Sequence, residues 1–358
     1  MRENALKAIW LRLNVQLSRK DKLIFAKYLS VLLGAGLAID ESVDVLNKQA
    51  KGSLKRILDH LSMTVKHGET LAVGLSAFPH VFSPLFINLV ASGESSGNLQ
   101  GNLLNVVGQM EKEYELNSKI RGALMYPMII VIVAFLIAAG IFVFVLPNVI
   151  DMFESLDVEL PLATKILIAV ATFVSAHGIL TVAGIIGFLL LIGTVRKISF
   201  FDPALHGMIL LVPIIGGIAK KVNLARFTRS LGTMVQSGIP IDEAVIITQN
   251  VLDNVYYKHI FDKLTEAIKL GNDLSSVLEM HPRLIPSMAT HVIYVGEQAG
   301  SLGDMLIYLA KFYEQEVSDV TDNLSQLLEP FLLIFIGVMV GGLALAVMTP
   351  IYEVIGSF

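Results

Sequence analysis

The chain has 358 residues, enough for two or three domains with their own cores. Hydrophobic residues make up 54%, charged residues 16%, and the mean hydropathy of +0.67 is too apolar for a chain whose whole surface meets water, so part of it faces lipid. A net charge of −4 supplies no polycation for nucleic acid, and the lack of cysteine excludes disulfides, thiolate metal sites and cysteine nucleophiles.

Residues 1–22 form a basic arm. Leu6, Ile9, Trp10, Leu13 and Leu17 share one helical face, while Arg2, Lys7, Arg12, Arg19 and Lys20 add positive charge. That pattern suits anionic lipid or an acidic partner, or an ordinary helix packed on the first domain. Lys7 and Arg12 interrupt the apolar run, so no cleavable signal peptide is expected.

Residues 23–121 read as a helical module, with apolar residues three and four apart, as in Leu54, Ile57, Leu58, Leu61 and Val65. Turn signals at Gly34 to Gly36, Gly52, Gly68, Phe78-Pro79 with Ser83-Pro84, and Gly93 to Gly97 divide it into about six helices. The last helix, from about Leu99, enters the membrane near Pro127. That proline either opens the spanning helix at its first turn or kinks a continuous one.

Three uncharged runs come next. Residues 122–147 hold the first span, Met128 to Leu146, about as long as a hydrocarbon core of roughly 30 Å requires. Residues 166–195 supply a second, and 327–350 a third, with Phe331 to Thr349 uncharged. One mid-span charge would oppose insertion by about 2.5 to 3.5 kcal/mol. Lys112, Lys119 and Arg121 precede the first span, and Arg196, Lys197, Lys220 and Lys221 come after the second. The loop at 148–165 has four acids and only Lys165. The loop is therefore expected outside, the N-terminus in the cytoplasm and the tail, 351–358, on the far side of a multi-pass membrane protein. The connector, 196–224, contains MILLVPIIGG from Met208, too short to span and read as interfacial or buried.

Residues 225–326 repeat the first module. FAKYLSVLLGAGLAIDES at Phe25 aligns with FTRSLGTMVQSGIPIDEA at Phe227, a register of 202 that becomes 203 after one inserted residue. SGESSGNL at Ser92 then faces VGEQAGSL at Val295, Glu111 and Glu113 face Glu314 and Glu316, and Phe78-Pro79 faces His281-Pro282. The span is copied too: Pro127 pairs with Pro330, and Pro147 with Pro350. The expectation is an all-α integral membrane protein with two homologous cytoplasmic six-helix bundle domains and three transmembrane helices.

The chemical motifs are sparse. GESSG fits the pattern of a serine nucleophile at Ser95, but its context is helical and Gln298 replaces the serine in the second copy. The reading is a turn between two helices in which the glycines, Gly93 and Gly97 in the first copy and Gly296 and Gly300 in the second, allow positive φ and Glu94 and Glu297 sit near a helix start. No GxxxxGK phosphate loop and no HExxH pair is present; His60 and His67 lack a third ligand. Within the spans only His177 ionises; beside Thr172, Ser175 and Thr181 it serves packing, or a proton path if the protein were a transporter or intramembrane hydrolase. Asp40 and Asp242 fit helix N-caps. If Asp40, Glu94 and Asn98 converge, their hard oxygens suit a calcium-like cation; otherwise no cofactor is expected.

These residues resemble the PilC/GspF family of inner-membrane platform proteins of type IV pilus and type II secretion systems. The resemblance spans nearly the whole chain and rests on KIRGALMYP at Lys119, Pro147, LPLAT at Leu160, VPIIGGIAKKVNLARFTRSL at Val212 and both GExxGxL turns. It implies a non-enzymatic scaffold that couples a cytoplasmic hexameric ATPase to insertion or extraction of pilin or pseudopilin subunits. Partners would be that ATPase, other inner-membrane assembly proteins, lipid and further copies of the chain, with no nucleic acid.

Overall fold

The computed structural model describes residues 15–140, 202–212, 215–324, 329–338, 340–342, 344 and 348. Outside these lie most of the basic arm, the end of the first span with Pro147, the loop, the second span with His177, and Pro350 with the tail. The described residues are all-helical, with no strand among them.

The first copy contributes α1 (Arg19–Gly34), α2 (Ile39–Gln49), α3 (Gly52–Lys66), α4 (Leu71–Ser76), α5 (Pro84–Ser96) and α6 (Leu99–Gly140). After α7 (Asp202–Leu211) the second copy contributes α8 (Ile215–Gln236), α9 (Ile241–Val251), α10 (Val255–Lys269), α11 (Leu274–Glu279), α12 (Ser287–Gln298) and α13 (Leu302–Asp322). The second and ninth helices both have 11 residues, the third and tenth 15, the fourth and eleventh 6. The helices begin and end at the turn signals. Gly36, Gly68 and Gly97 adopt left-handed φ of 86°, 83° and 72°, and their counterparts Gly238, Gly271 and Gly300 take 80°, 83° and 66°. A residue with a Cβ is disfavoured there, so these glycines stop one helix and re-aim the chain. Ser18, Thr70 and Ser83 cap α1, α4 and α5 by accepting the N–H of Asp21, Val73 and Phe86.

Both copies lie in one compact unit, comprising residues up to Asn117 and Pro203–Ser318; the remaining residues belong to a second. The buried apolar side chains of the first unit form a single connected core. Phe25 of α1 packs against Phe82, which meets Phe86, while the corresponding Phe227 of α8 packs against Phe261. Burying such rings is worth about 1.5–3 kcal/mol each and holds the short helices, which would not persist alone.

Helix α6 runs unbroken for 42 residues, on the order of 60 Å, with Pro127 inside it. Of the two sequence-based alternatives, the structure takes the continuous helix. From Leu124 to Ile137 most of its apolar side chains face outward, Met125, Met128, Phe135 and Leu136 among them, with Ala134 the buried exception. A soluble protein would not present such a surface, whereas lipid requires it. Among the described residues α6 is the one unbent helix long and apolar enough to cross a membrane. A shorter apolar stretch, Glu329–Gly342, contains Pro330 and also exposes its side chains.

Of the described residues of MILLVPIIGG, Met208 to Val212 are not buried, which fits the interfacial alternative rather than the buried one, while Gly216 is buried. Helix α7 has no buried residue, Met208 and Leu211 face outward, and its axis meets that of α8 at 112°. Gly216 permits the approach, since a Cβ there would overlap the Leu210 carbonyl oxygen.

Candidate functional site

Glu94 and Glu297 were expected near a helix start within their own turns. They lie instead in the last turns of α5 and α12, and their carboxylates reach back to a different helix. Glu94 accepts the backbone N–H of Leu71 at 2.6 Å and of Ala72 at 3.0 Å, the first two amides of α4. Glu297 does the same at the start of α11, accepting from Leu274 at 2.5 Å, Ser275 N at 3.1 Å and the Ser275 hydroxyl. A six-residue helix has four orphan amides at its N-terminus and few of its own bonds, so a carboxylate supplied from outside satisfies donors and opposes the dipole together.

The glycines of each GExxGxL turn place that glutamate. Gly97 caps α5 in the left-handed region, and Gly300, one residue beyond the Ala299 cap of α12, is left-handed as well. Gly93 and Gly296 let the next helix cross closely: a Cβ on Gly93 would sit 2.9 Å from the Leu99 Cα, and one on Gly296 would sit 2.9 Å from the Met305 Cβ. Asn102 secures the crossing in the first copy, its buried amide donating to the Leu89 carbonyl at 3.0 Å.

The remaining predicted residues have other partners. Ser95 donates its hydroxyl to the Ser92 carbonyl one turn back, at 3.0 Å, on an α-helix rather than a strand-to-helix elbow. Asn98 accepts from the Gly101 N–H, and both Glu94 oxygens are engaged by amides. Among the described residues no three His, Asp or Glu side chains gather as metal ligands. Asp40 and Asp242 are not N-caps. Ala38 and Pro240 occupy those positions in extended geometry, and the aspartates stand in the first turns of α2 and α9, where they act on the dipole.

Ion pairs between the first and last helices of each copy went unread in the sequence. Arg229 of α8 grips Glu314 of α13 through two bonds, 2.8 and 2.6 Å, with side chains only 13% and 18% exposed. Lys221 adds a 2.6 Å bond to Glu316. In the first copy the counterpart pair is Lys27 and Glu111, at 3.2 Å and 59% and 44% exposed. Arg19 and Glu113, which correspond to Lys221 and Glu316, make no pair with each other and line a groove of about 690 Å³. Its apolar floor includes Leu23, Phe86 and Met110, and Lys22 and His80 stand at its edge. Lys22 donates to the Val81 carbonyl at 2.9 Å; burial, with the Arg19 charge adding to it, holds its ammonium below the usual lysine range.

The copies also bond to each other. Helix α5 packs on α8 and α9. The Ser92 hydroxyl donates to the Ser237 carbonyl at 2.9 Å, the Asn105 amide to the Ser237 hydroxyl at 3.0 Å, and Arg226 to the Asn117 side chain at 3.1 Å. A repeat seen in sequence carries no hint of this junction, because its polar members differ between copies.

Such a chain, all-helical among its described residues, has one helical unit duplicated, a glutamate-capped turn in each copy and an outward-facing apolar helix long enough to cross a membrane. A family profile described as type II secretion system (T2SS), protein F, matches residues 25–147 and again residues 227–350, more than half of the chain, and the protein belongs to that family. The two matches start and stop at the residues paired by the internal repeat. The type IV pilus assembly protein PilC of Pseudomonas aeruginosa is 32% identical over 336 residues, covering 93% of this chain and 89% of that protein. PilC of Thermus thermophilus is 33% identical over 347 residues, 94% and 83% of the respective chains. The type II secretion system protein F of Pseudomonas aeruginosa is 31% identical over 340 residues, again 94% and 83%.

Proposed function

We infer that the chain is the inner-membrane platform of a type IV pilus or type II secretion machine. It passes the motion of a cytoplasmic assembly ATPase to pilin-like subunits in the bilayer. The observation that carries this reading is the single helix α6, which begins in the packed core at Leu99 and continues without a break through Pro127 into outward-facing apolar residues. A continuous helix transmits displacement along its axis, whereas a flexible linker would absorb it. The names of its relatives, pilus assembly protein and secretion system protein, support the same role.

On this reading the two copies are the cytoplasmic part, three spans cross the bilayer with the C-terminus on the far side, and no step of covalent chemistry falls to the chain. The alternative of a hydrolase finds no help at Ser95, whose hydroxyl is spent on its own helix. The test is affinity capture of the full chain from native membranes after brief crosslinking. Recovery of an assembly ATPase together with a pilin-like protein is expected. A chain that returns with neither is not a platform.

A further inference from the structure

The seam between the first and last helices is lined differently in the two copies. In the second copy Val222, Leu224, Tyr313 and Val317 stand on it, all of them buried, and the Lys221–Glu316 bond lies across it. The corresponding positions of the first copy carry Lys20, Lys22, Met110 and Tyr114, and all four line the groove of about 690 Å³. The frame can therefore be packed shut, and the opening in the first copy comes from its side chains.

Arg19, Lys20 and Lys22 line the groove with Glu113 as its one acid, an excess of two positive charges, three less one. Among the described residues no carboxylate makes an ion pair with any of these cations or with His80. Lys22 spends one donor on the Val81 carbonyl and keeps two. Burial holds its pKa below the usual lysine range, the mark of a partly dehydrated cation without a counter-ion. The floor is apolar, with Phe86, Leu89 and Val106 all buried. Gln109 is the exception among these buried lining residues: it is 8% exposed, and its Oε1 has no hydrogen-bond donor. A native interior seldom leaves a buried amide oxygen unpaired.

We propose that this groove is a binding site for a single-chain lipid with a phosphate-monoester head and a free hydroxyl, the chemistry of a lysophosphatidic acid. A phosphate monoester carries a charge of about −1.5 to −2 near neutral pH, which matches the excess of two, whereas a carboxylate supplies only one. Arg19, Lys20 and the two spare donors of Lys22 suit its oxygens as charge-assisted hydrogen bonds. The chain lies on the apolar floor. A nucleobase there would bury ring nitrogens and carbonyls with nothing to pair them. The hydroxyl between head and chain is the donor that Gln109 lacks. The groove also falls in the size range of small-molecule sites, roughly 300–1,000 Å³. The proposal is independent of the motor reading, since it concerns a ligand of the first copy alone.

The probe is octanoyl lysophosphatidic acid with a diazirine at the end of its chain, added to the full chain in phosphatidylcholine nanodiscs, irradiated and mapped by peptide. Label is expected within residues 79–89 and 106–114, which line the groove. Excess unlabelled octanoyl lysophosphatidic acid should displace it, octyl phosphate several-fold less well because it has no hydroxyl. Lysophosphatidylcholine, without the dianion, and glycerol phosphate, without the chain, should hardly compete. Arg19→Glu with Lys20→Glu, both exposed positions, should weaken binding about tenfold or more, with helicity by circular dichroism unchanged. Met110→Tyr, which installs the residue of the second copy, should lower labelling to a similar extent. Label confined to the apolar residues after Leu124, displacement by any of the three other competitors as effective as by lysophosphatidic acid, or unchanged labelling in the variants would each overturn the proposal.

Discussion

In the second copy of the repeat the first and last helices are clamped by Arg229 on Glu314 and Lys221 on Glu316, with little water access to the first pair. In the first copy the same seam has an exposed Lys27–Glu111 contact and, where the second clamp would be, an open groove. The order of the helices, the lengths of the second to fourth in each copy and the glutamate caps are nonetheless alike. Duplication has therefore kept the frame and changed the fastening, giving one stiff copy and one with an adaptable edge.

The largest expected break in this comparison is Arg229→Ala. It leaves the Glu314 carboxylate poorly hydrated and unpaired, a loss of about 3 kcal/mol, whereas Lys27→Ala changes stability by less than about 1 kcal/mol. Thermal unfolding of the detergent-solubilised protein, with hydrogen exchange to locate the loss, compares the two. Equal effects would mean that the clamps do not distinguish the copies.

The glutamate caps come next, and here the copies should agree. Glu94→Ala and Glu297→Ala each leave two amides without an acceptor, at about 1–3 kcal/mol apiece. Faster exchange is expected at Leu71 and Ala72 in the first variant and at Leu274 and Ser275 in the second. Glu→Gln at either position should retain part of the protection, because one acceptor oxygen remains. Unchanged exchange would remove the caps from the account. Smaller still, Gly97→Ala and Gly300→Ala force a side chain into left-handed geometry, at about 1–2 kcal/mol each; matching losses in denaturant midpoint are expected.

The smallest effect separates the copies by pH. His281 occupies the place of the buried Phe78, and burial, with Lys263 and His259 adding to it, holds its pKa below the ordinary 6.5. The unfolded chain then binds a proton more readily than the folded one, so stability declines as pH falls from the ordinary histidine range toward the lowered value, and levels off below it. His281→Phe should flatten that slope in a pH series of unfolding midpoints. A slope that persists would assign the acid sensitivity to another group.

Much of the frame was legible because local rules decide it. Apolar spacing marked the helices, and Gly68, Gly97 and Ser83-Pro84 punctuated them where the structure does. The copy register, 202 then 203, came from the same residues that the family match brackets. What depended on packing was not legible. Glu94 acts 23 residues upstream, a reach that no local pattern encodes. Asp40 resembled an N-cap because it comes after a glycine turn, yet Ala38 took the extended conformation first. Arg226, Ser237, Ser92 and Asn105 have different residue types at their counterparts, so looking for likeness between copies passed over the residues that join them.

The central claim is that this chain acts by position and transmission. It is tested most directly by restoring pilus or secretion activity to a strain lacking the protein, using Ser95→Ala with His177→Ala in one plasmid and Glu94→Ala with Glu297→Ala in the other. Full assembly with the first pair and loss with the second, at matched protein levels, is the expected result. Loss with the first pair and full assembly with the second would contradict it.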